Sequence, residues 1–140
     1  MKCKELMVGD FCRSGHGLPM QITNVGEDYA YATFEGNEGD PWEFDDKDEQ
    51  PQPIEITYEL LDSNRWVREN YYSVKHNHNV DYYIIEYGIY NLLWDNGTLS
   101  IFRNDNSYNY DIVIPVKYVH QIQQVLRLVG MSELANNFKI

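Results

Sequence analysis

The sequence predicts an α+β protein: a small SH3-like β-barrel or meander over residues 1–50, then an α+β domain over residues 54–140. In that second domain an antiparallel sheet is expected to be packed by a C-terminal amphipathic helix. Three observations predict this. Short runs alternating apolar and polar residues, broken by glycine turns, fill the first fifty residues. An Asn-Gly turn signal lies inside the strand-like stretch from Trp66 to Ile114. After Pro115 the apolar spacing changes from alternation to the helical repeat.

The first module opens with Val8-Gly9-Asp10-Phe11-Cys12, a turn entering a strand, in a Leu-x-Val-Gly-Asp context like the first strand of SH3-like barrels. Met20-Gln21-Ile22-Thr23-Asn24-Val25 alternates apolar and polar residues, Gly26-Glu27-Asp28 turns the chain, and Tyr29 to Phe34 is the next strand. From Asp40-Pro41 to Pro53 an acidic cluster is mixed with prolines, which remove backbone donors and favour extended neighbours, so a linker is expected there. Trp42 and Phe44 are positioned to add a last strand to the module.

Thr57 is placed to cap a short helix through Leu60-Leu61 that ends by Ser63-Asn64. Strands follow at Tyr71–Val74, Tyr82–Tyr87, Ile89–Trp94, Leu99–Phe102 and Tyr110–Ile114. Asn96-Gly97 readily supplies the two positive φ angles of a type I′ turn between Trp94 and Leu99, and Asn104-Asp105-Asn106-Ser107 is expected to make the next turn. Val119, Ile122, Leu126 and Val129 then form an apolar stripe on a helix over residues 117–129. Gln121, Gln123, Gln124 and Arg127 are expected to point away from it. Pro115 before the helix and Gly130 after it are the usual punctuation.

The 140 residues carry 22 acids against 11 Lys and Arg, a formal charge of −11. The excess is local: Glu27 to Asp62 holds thirteen acids and the single base Lys47. A field of that sign repels phosphate backbones, so direct nucleic-acid binding is not expected. Two cysteines are too few for a secreted disulfide framework, and no run approaches the length of a membrane span or a signal core. A cytoplasmic, unanchored protein is the expectation.

Tyr118-Val119-His120-Gln121-Ile122-Gln123, followed by the apolar stripe and Gly130-x-Ser132-Glu133-Leu134, resembles the C-terminal signature of a family of small uncharacterised proteins from prophages and other mobile elements of gut anaerobic bacteria. Ile54-x-Ile56-Thr57-x-Glu59-Leu60-Leu61 is similar to a second motif of that family. The resemblance implies a two-part fold and a mobile-element setting. It implies no activity and no catalytic residues.

Several clusters carry candidate chemistry. Glu43, Asp45, Asp46, Asp48 and Glu49 form a charge run that either is solvated or docks on a basic protein surface, and Tyr72 and Tyr83 belong to a tyrosine-rich series able to line a contact surface. The run lacks the glycine and bidentate glutamate of a calcium loop. His76 and His78, with Asp81, can share a strand face as metal ligands, although Lys75 to Asn79 reads more naturally as a hairpin loop. Cys3, Cys12 and His16 supply three zinc-type donors at a spacing that matches no common knuckle, and His120 has no visible acid-base partner. The sequence therefore predicts a non-enzymatic accessory protein that binds another protein, without cofactor or metal. Two other readings stay open: an acidic decoy of a host nucleic-acid-binding protein, and a small metal-dependent enzyme using His76 and His78.

Overall fold

A computed structural model describes residues 1–105 and 110–140. The chain divides into two compact units, one made of residues 1–55, 118–138 and 140, the other of residues 56–117 and 139. Two antiparallel sheets, one per unit, with a few short helices give the α+β class expected from the sequence. Among the described residues no helix is long and apolar enough to cross a membrane.

The first unit is built on β1 (Phe11–Arg13), β2 (Pro19–Val25), β3 (Tyr29–Thr33) and β4 (Trp42–Asp45), paired in sequence order as an antiparallel meander. It is an open sheet rather than the closed barrel allowed by the sequence pattern. Alternation sends Met20 and Ile22 of β2 inward beside Cys12 of β1. On β3 the inward residues are Ala30 and Ala32, and the small side chain of Ala30 lies opposite Phe44 on β4, so the ring has room in the core. Cys3 and Leu6, from a 3-10 turn at Cys3–Glu5, complete that cluster.

The acidic, proline-rich stretch is no free linker. Part of it is β4, and Gln52 then exchanges two backbone hydrogen bonds of 2.8 Å with Arg13, covering the outer edge of β1. Pro51 is buried.

The long helix, α2 (Val119–Leu128), and the short α3 (Ser132–Asn136) also belong to this first unit. The sequence pattern had assigned the long helix to the sheet of residues 66–114, and its polar flank explains the difference. Gln123, expected to face away from the core, has no exposed surface. Its Oε1 accepts the Phe11 N–H at 3.0 Å, and its Nε2 donates to the carbonyls of Gly9 and Ala135 at 3.1 and 3.2 Å. Gln124 donates to the Glu5 carbonyl and to Asp10, and Arg127 forms an ion pair with the fully buried Asp10. A backbone bond also joins α2 to the end of the proline-rich stretch, since the Val119 N–H donates to the Ile54 carbonyl at 2.8 Å. The end of α2 is closed by the Gly130 N–H on Arg127 and the Met131 N–H on Leu126, which satisfy carbonyls left over by the helix.

The second unit begins with α1 (Tyr58–Ser63), capped by the Thr57 hydroxyl on the Leu60 N–H as the sequence predicts. A five-stranded meander follows: β5 (Val67–Ser73), β6 (His78–Tyr87), β7 (Tyr90–Asp95), β8 (Thr98–Arg103) and β9 (Tyr110–Pro115). Asn96 and Gly97 take φ angles of 44° and 91° between paired Asp95 and Thr98, so the expected hairpin forms there. Of the other expected turn, Asn106 and Ser107 lie outside the described residues. Tyr83, Leu92, Trp94, Leu99 and Ile101 share one face of the sheet and are buried, as are Leu61 and Trp66 of the same unit. Tyr58 of α1 stacks on Tyr83 with ring centroids 5.3 Å apart, and the Trp94 indole N–H donates to the Val116 carbonyl at 2.9 Å. A helix does pack this sheet, but it is α1.

Gly9 carries a positive φ of 91°, and a Cβ there would lie 2.9 Å from a guanidinium nitrogen of Arg127. Gly9→Ala is expected to lower stability to urea by about 1–3 kcal/mol, through backbone strain and displacement of the half-buried arginine. Gly39→Ala, where a Cβ meets no atom within 4 Å, is expected to change it by less than about 0.5 kcal/mol. Equal losses would contradict the packing of Arg127 against this turn.

Candidate protein-binding surface

The first unit holds fourteen acids and five Lys and Arg, a formal charge of −9, against eight acids and six bases in the second. Its carboxylates fall into two populations. Those of the Asp45–Glu49 turn are largely engaged inside the unit. Asp45 accepts the Lys47 N–H at 2.7 Å, and Asp46 accepts the Cys3 N–H at 2.8 Å. That bond, ahead of the nearby lysines Lys2 and Lys4, holds the Asp46 carboxyl below its ordinary range. Glu49 accepts from the Gly15 N–H at 2.9 Å and from the Trp42 indole at 3.2 Å. Asp46 ties this turn to the 3-10 turn, and Glu49 ties it to the β1–β2 loop and to Trp42 of β4, while Asp45 shapes the turn itself. Of the predicted acidic contact residues, only Glu43 and Asp48 are fully exposed.

The second population is exposed and comes from the turns: Glu27 and Asp28 before β3, and Glu35, Glu38 and Asp40 between β3 and β4. The β3–β4 loop holds itself in shape. Asn37 Oδ1 accepts the Phe34 N–H at 2.6 Å, and the Glu38 carboxylate accepts the Gly36 N–H at 3.1 Å. Backbone hydrogen bonds keep the Glu38 carboxyl below the usual range and therefore charged.

Beside this loop a cleft of about 500 Å³ opens on the outer face of β1, β2 and β3. Phe11, Gln21 and Thr33 are register partners across the three strands, so their side chains share the face that lines it. Phe34 adds a second aromatic wall, and Glu35 and Glu38 stand at its acidic side. No sequence reading marked this cleft. Its residues come from three strands, the β3–β4 loop and Ile140, and the register of the strands must be known before they can be placed together.

Tyr72 and Tyr83 share one face of the β5–β6 pair but lie at different places along it. Tyr72 is 58% exposed and remains a surface residue of the second unit, whereas Tyr83 is fully buried beneath α1 and is withdrawn from the contact surface predicted for it. Burial raises its phenol pKa above the ordinary value. On the face away from α1, the central row crossing all five strands reads Val67, Ile84, Leu93, Ser100, Val113. Val67 and Val113 at its two ends are 56% and 60% exposed.

The histidine and cysteine candidates do not assemble. His76 lies in the β5–β6 turn and His78 starts β6; their ring centroids are 5.9 Å apart. His78 Nδ1 engages the Asn79 carbonyl at 2.8 Å, and Asp81, the third prospective ligand, pairs with Arg68. Cys3 and Cys12 are buried in the core while His16 is exposed. Burial pushes both thiols up to about 12, aided at Cys3 by Asp46 and at Cys12 by Asp10, which is the opposite of what a reactive or metal-binding thiolate needs. Among the described residues no group of three or more His, Cys, Asp or Glu is placed to hold a metal ion.

His120 lies in the first turn of α2, 5% exposed, its ring stacked on Tyr118 with centroids 5.9 Å apart. Its Nδ1 is buried and makes no hydrogen bond to the described residues. No protein-family model, curated protein or solved structure matches the chain.

Burial lowers the His120 pKa below 6.5, outweighing the opposing pull of Asp10 and Glu5. The unfolded chain therefore binds a proton that the folded chain resists, so stability is complete above about pH 6.5 and declines as the pH falls below it. The urea midpoint is expected to drop between about pH 7.5 and about pH 5.5, and the drop is expected to be smaller in His120→Gln. An identical pH slope in the two proteins would show that His120 is not the group responsible.

Proposed function

We propose that the protein works by binding another protein, and that the exposed carboxylates of the first unit dock on a basic surface of that partner. The separation of its acids into engaged and free groups supports this reading most. Asp46 and Glu49 fasten the turn after β4 to its neighbours and Asp45 shapes that turn, while Glu27, Asp28, Glu35, Glu38, Asp40, Glu43 and Asp48 stand exposed in a unit with few bases. Free carboxylates set on ordered turns steer a cationic partner over roughly the 8 Å Debye length of physiological salt and suppress anionic partners. The resemblance of the 118–134 segment to mobile-element proteins makes an accessory role in the cytoplasm of a bacterial host the proposed setting. The SH3-like character of the opening strands is part of the same proposal, as a small β-fold used for binding.

The reading is tested by affinity capture with the purified protein and with a variant in which Glu27, Asp28, Glu43 and Asp48 become Gln or Asn, both checked by thermal melting. A basic partner held by the parent protein, lost from the variant and released by salt is the expected result. A nucleic-acid-binding protein among such partners would favour the decoy role. A partner held equally by both proteins at all salt concentrations would contradict docking through these carboxylates.

A further inference from the structure

Resting on that binding role, the geometry points to a specific seat for the partner: the cleft on the outer face of β1, β2 and β3 takes a lysine- or arginine-bearing amphipathic peptide segment. Its apolar side chain lies against Phe11 and Phe34, and its cationic head meets Glu35 and Glu38. The volume of about 500 Å³ suits a few side chains rather than a folded domain. The chemistry of its lining is divided. Phe11 and Phe34 offer rings, and the half-buried Thr33 and Gln21 offer polar atoms along the strands. Gln21 is itself oriented by donating to the Gly9 carbonyl at 3.2 Å.

The acidic side is held ready for a cation. Glu38 is held by the Gly36 N–H, its carboxyl kept below the ordinary range by its own backbone N–H and then by that of Gly36, and Glu35, three residues earlier in the same loop, is exposed. Neither residue takes part in a salt bridge among the described residues. A long side chain with an apolar stem and a charged tip satisfies both halves at once, which a purely apolar or an acidic ligand cannot do. The aromatic walls and the fixed carboxylates lie on one side of one sheet, so the occupant need not span the molecule.

The test is fluorescence anisotropy with two labelled octapeptides, one alternating Lys and Leu, the other alternating Glu and Leu. They are titrated against the 140-residue protein and three variants whose melting temperatures are measured first. The parent protein is expected to bind the lysine peptide and not the glutamate peptide. The Glu35→Gln/Glu38→Gln variant is expected to bind the lysine peptide about fivefold to tenfold more weakly, the size expected for two exposed ion pairs. Thr33→Arg, which places a cation and bulk in the cleft, is expected to abolish binding. Glu59→Gln/Glu86→Gln, which removes the same charge from exposed positions of the second unit, is expected to retain it. Equal weakening by the two acid-neutralised variants would overturn the cleft as the seat, since net charge alone would then set the affinity, and would leave the docking of a basic partner on the first unit to the capture experiment. Binding that survives Thr33→Arg, or no binding of the lysine peptide to the parent protein, would likewise overturn it.

Discussion

Asp10 is a carboxylate with no exposed surface, and its survival in the core depends on partners more than a hundred residues away in the chain. Oδ1 faces the Arg127 guanidinium, and Oδ2 accepts from the Met7 N–H at 2.8 Å and the Gln124 amide at 2.6 Å. A buried charge left alone costs several kcal/mol, so either residue without the other penalises the folded state. Gln123 adds the complementary polar bonds, one amide satisfying backbone groups of Gly9, Phe11 and Ala135. Polar groups of this kind add little net stability over an apolar core of equal shape, but they fix which surfaces meet. Here they join α2 to the segment ahead of β1. The first unit is therefore closed by residues from both ends of the chain.

This closure bears on the proposed binding role. The 3-10 turn, the β1–β2 loop and β4 are tied together by Asp46 and Glu49, and the same N-terminal segment is tied to α2 by Asp10 and Gln123. Carboxylates spent on those bonds are unavailable to a partner. Those left on the β2–β3 and β3–β4 turns project from a framework that is already ordered, so docking costs little conformational entropy. A net charge of −11 is thus divided by the fold into a structural share and a presented share.

Local physics made much of the fold readable in advance. The Asn96-Gly97 turn, the Thr57 cap, the alternation of Met20 and Ile22, and the apolar stripe of α2 each follow from residues adjacent in sequence. Partner choice is where the reading failed. Gln123, Gln124 and Arg127 look like the solvent side of a helix, because their partners are mostly backbone groups, which carry no sequence signature. The acidic run read as a single surface, although Asp46 and Glu49 turn inward to N–H groups of Cys3 and Gly15 that only the folded chain brings near. Tyr72 and Tyr83 were equivalent as letters and share one face of the sheet, so the position of α1 along the strands decided that one is exposed and the other buried. The cleft beside Phe11 was illegible for the same reason, since it exists only once the register of β1, β2 and β3 is set.

A double-mutant cycle on Asp10→Asn and Arg127→Gln, read as unfolding free energy in urea, tests most directly whether the two ends of the chain form one unit. Each single variant is expected to lose about 3 kcal/mol or more, with the double variant losing clearly less than the sum because neither charge is then left buried alone. Strictly additive losses, or single losses within about 0.5 kcal/mol, would contradict the account, since they would mean that the carboxylate and the guanidinium do not depend on each other.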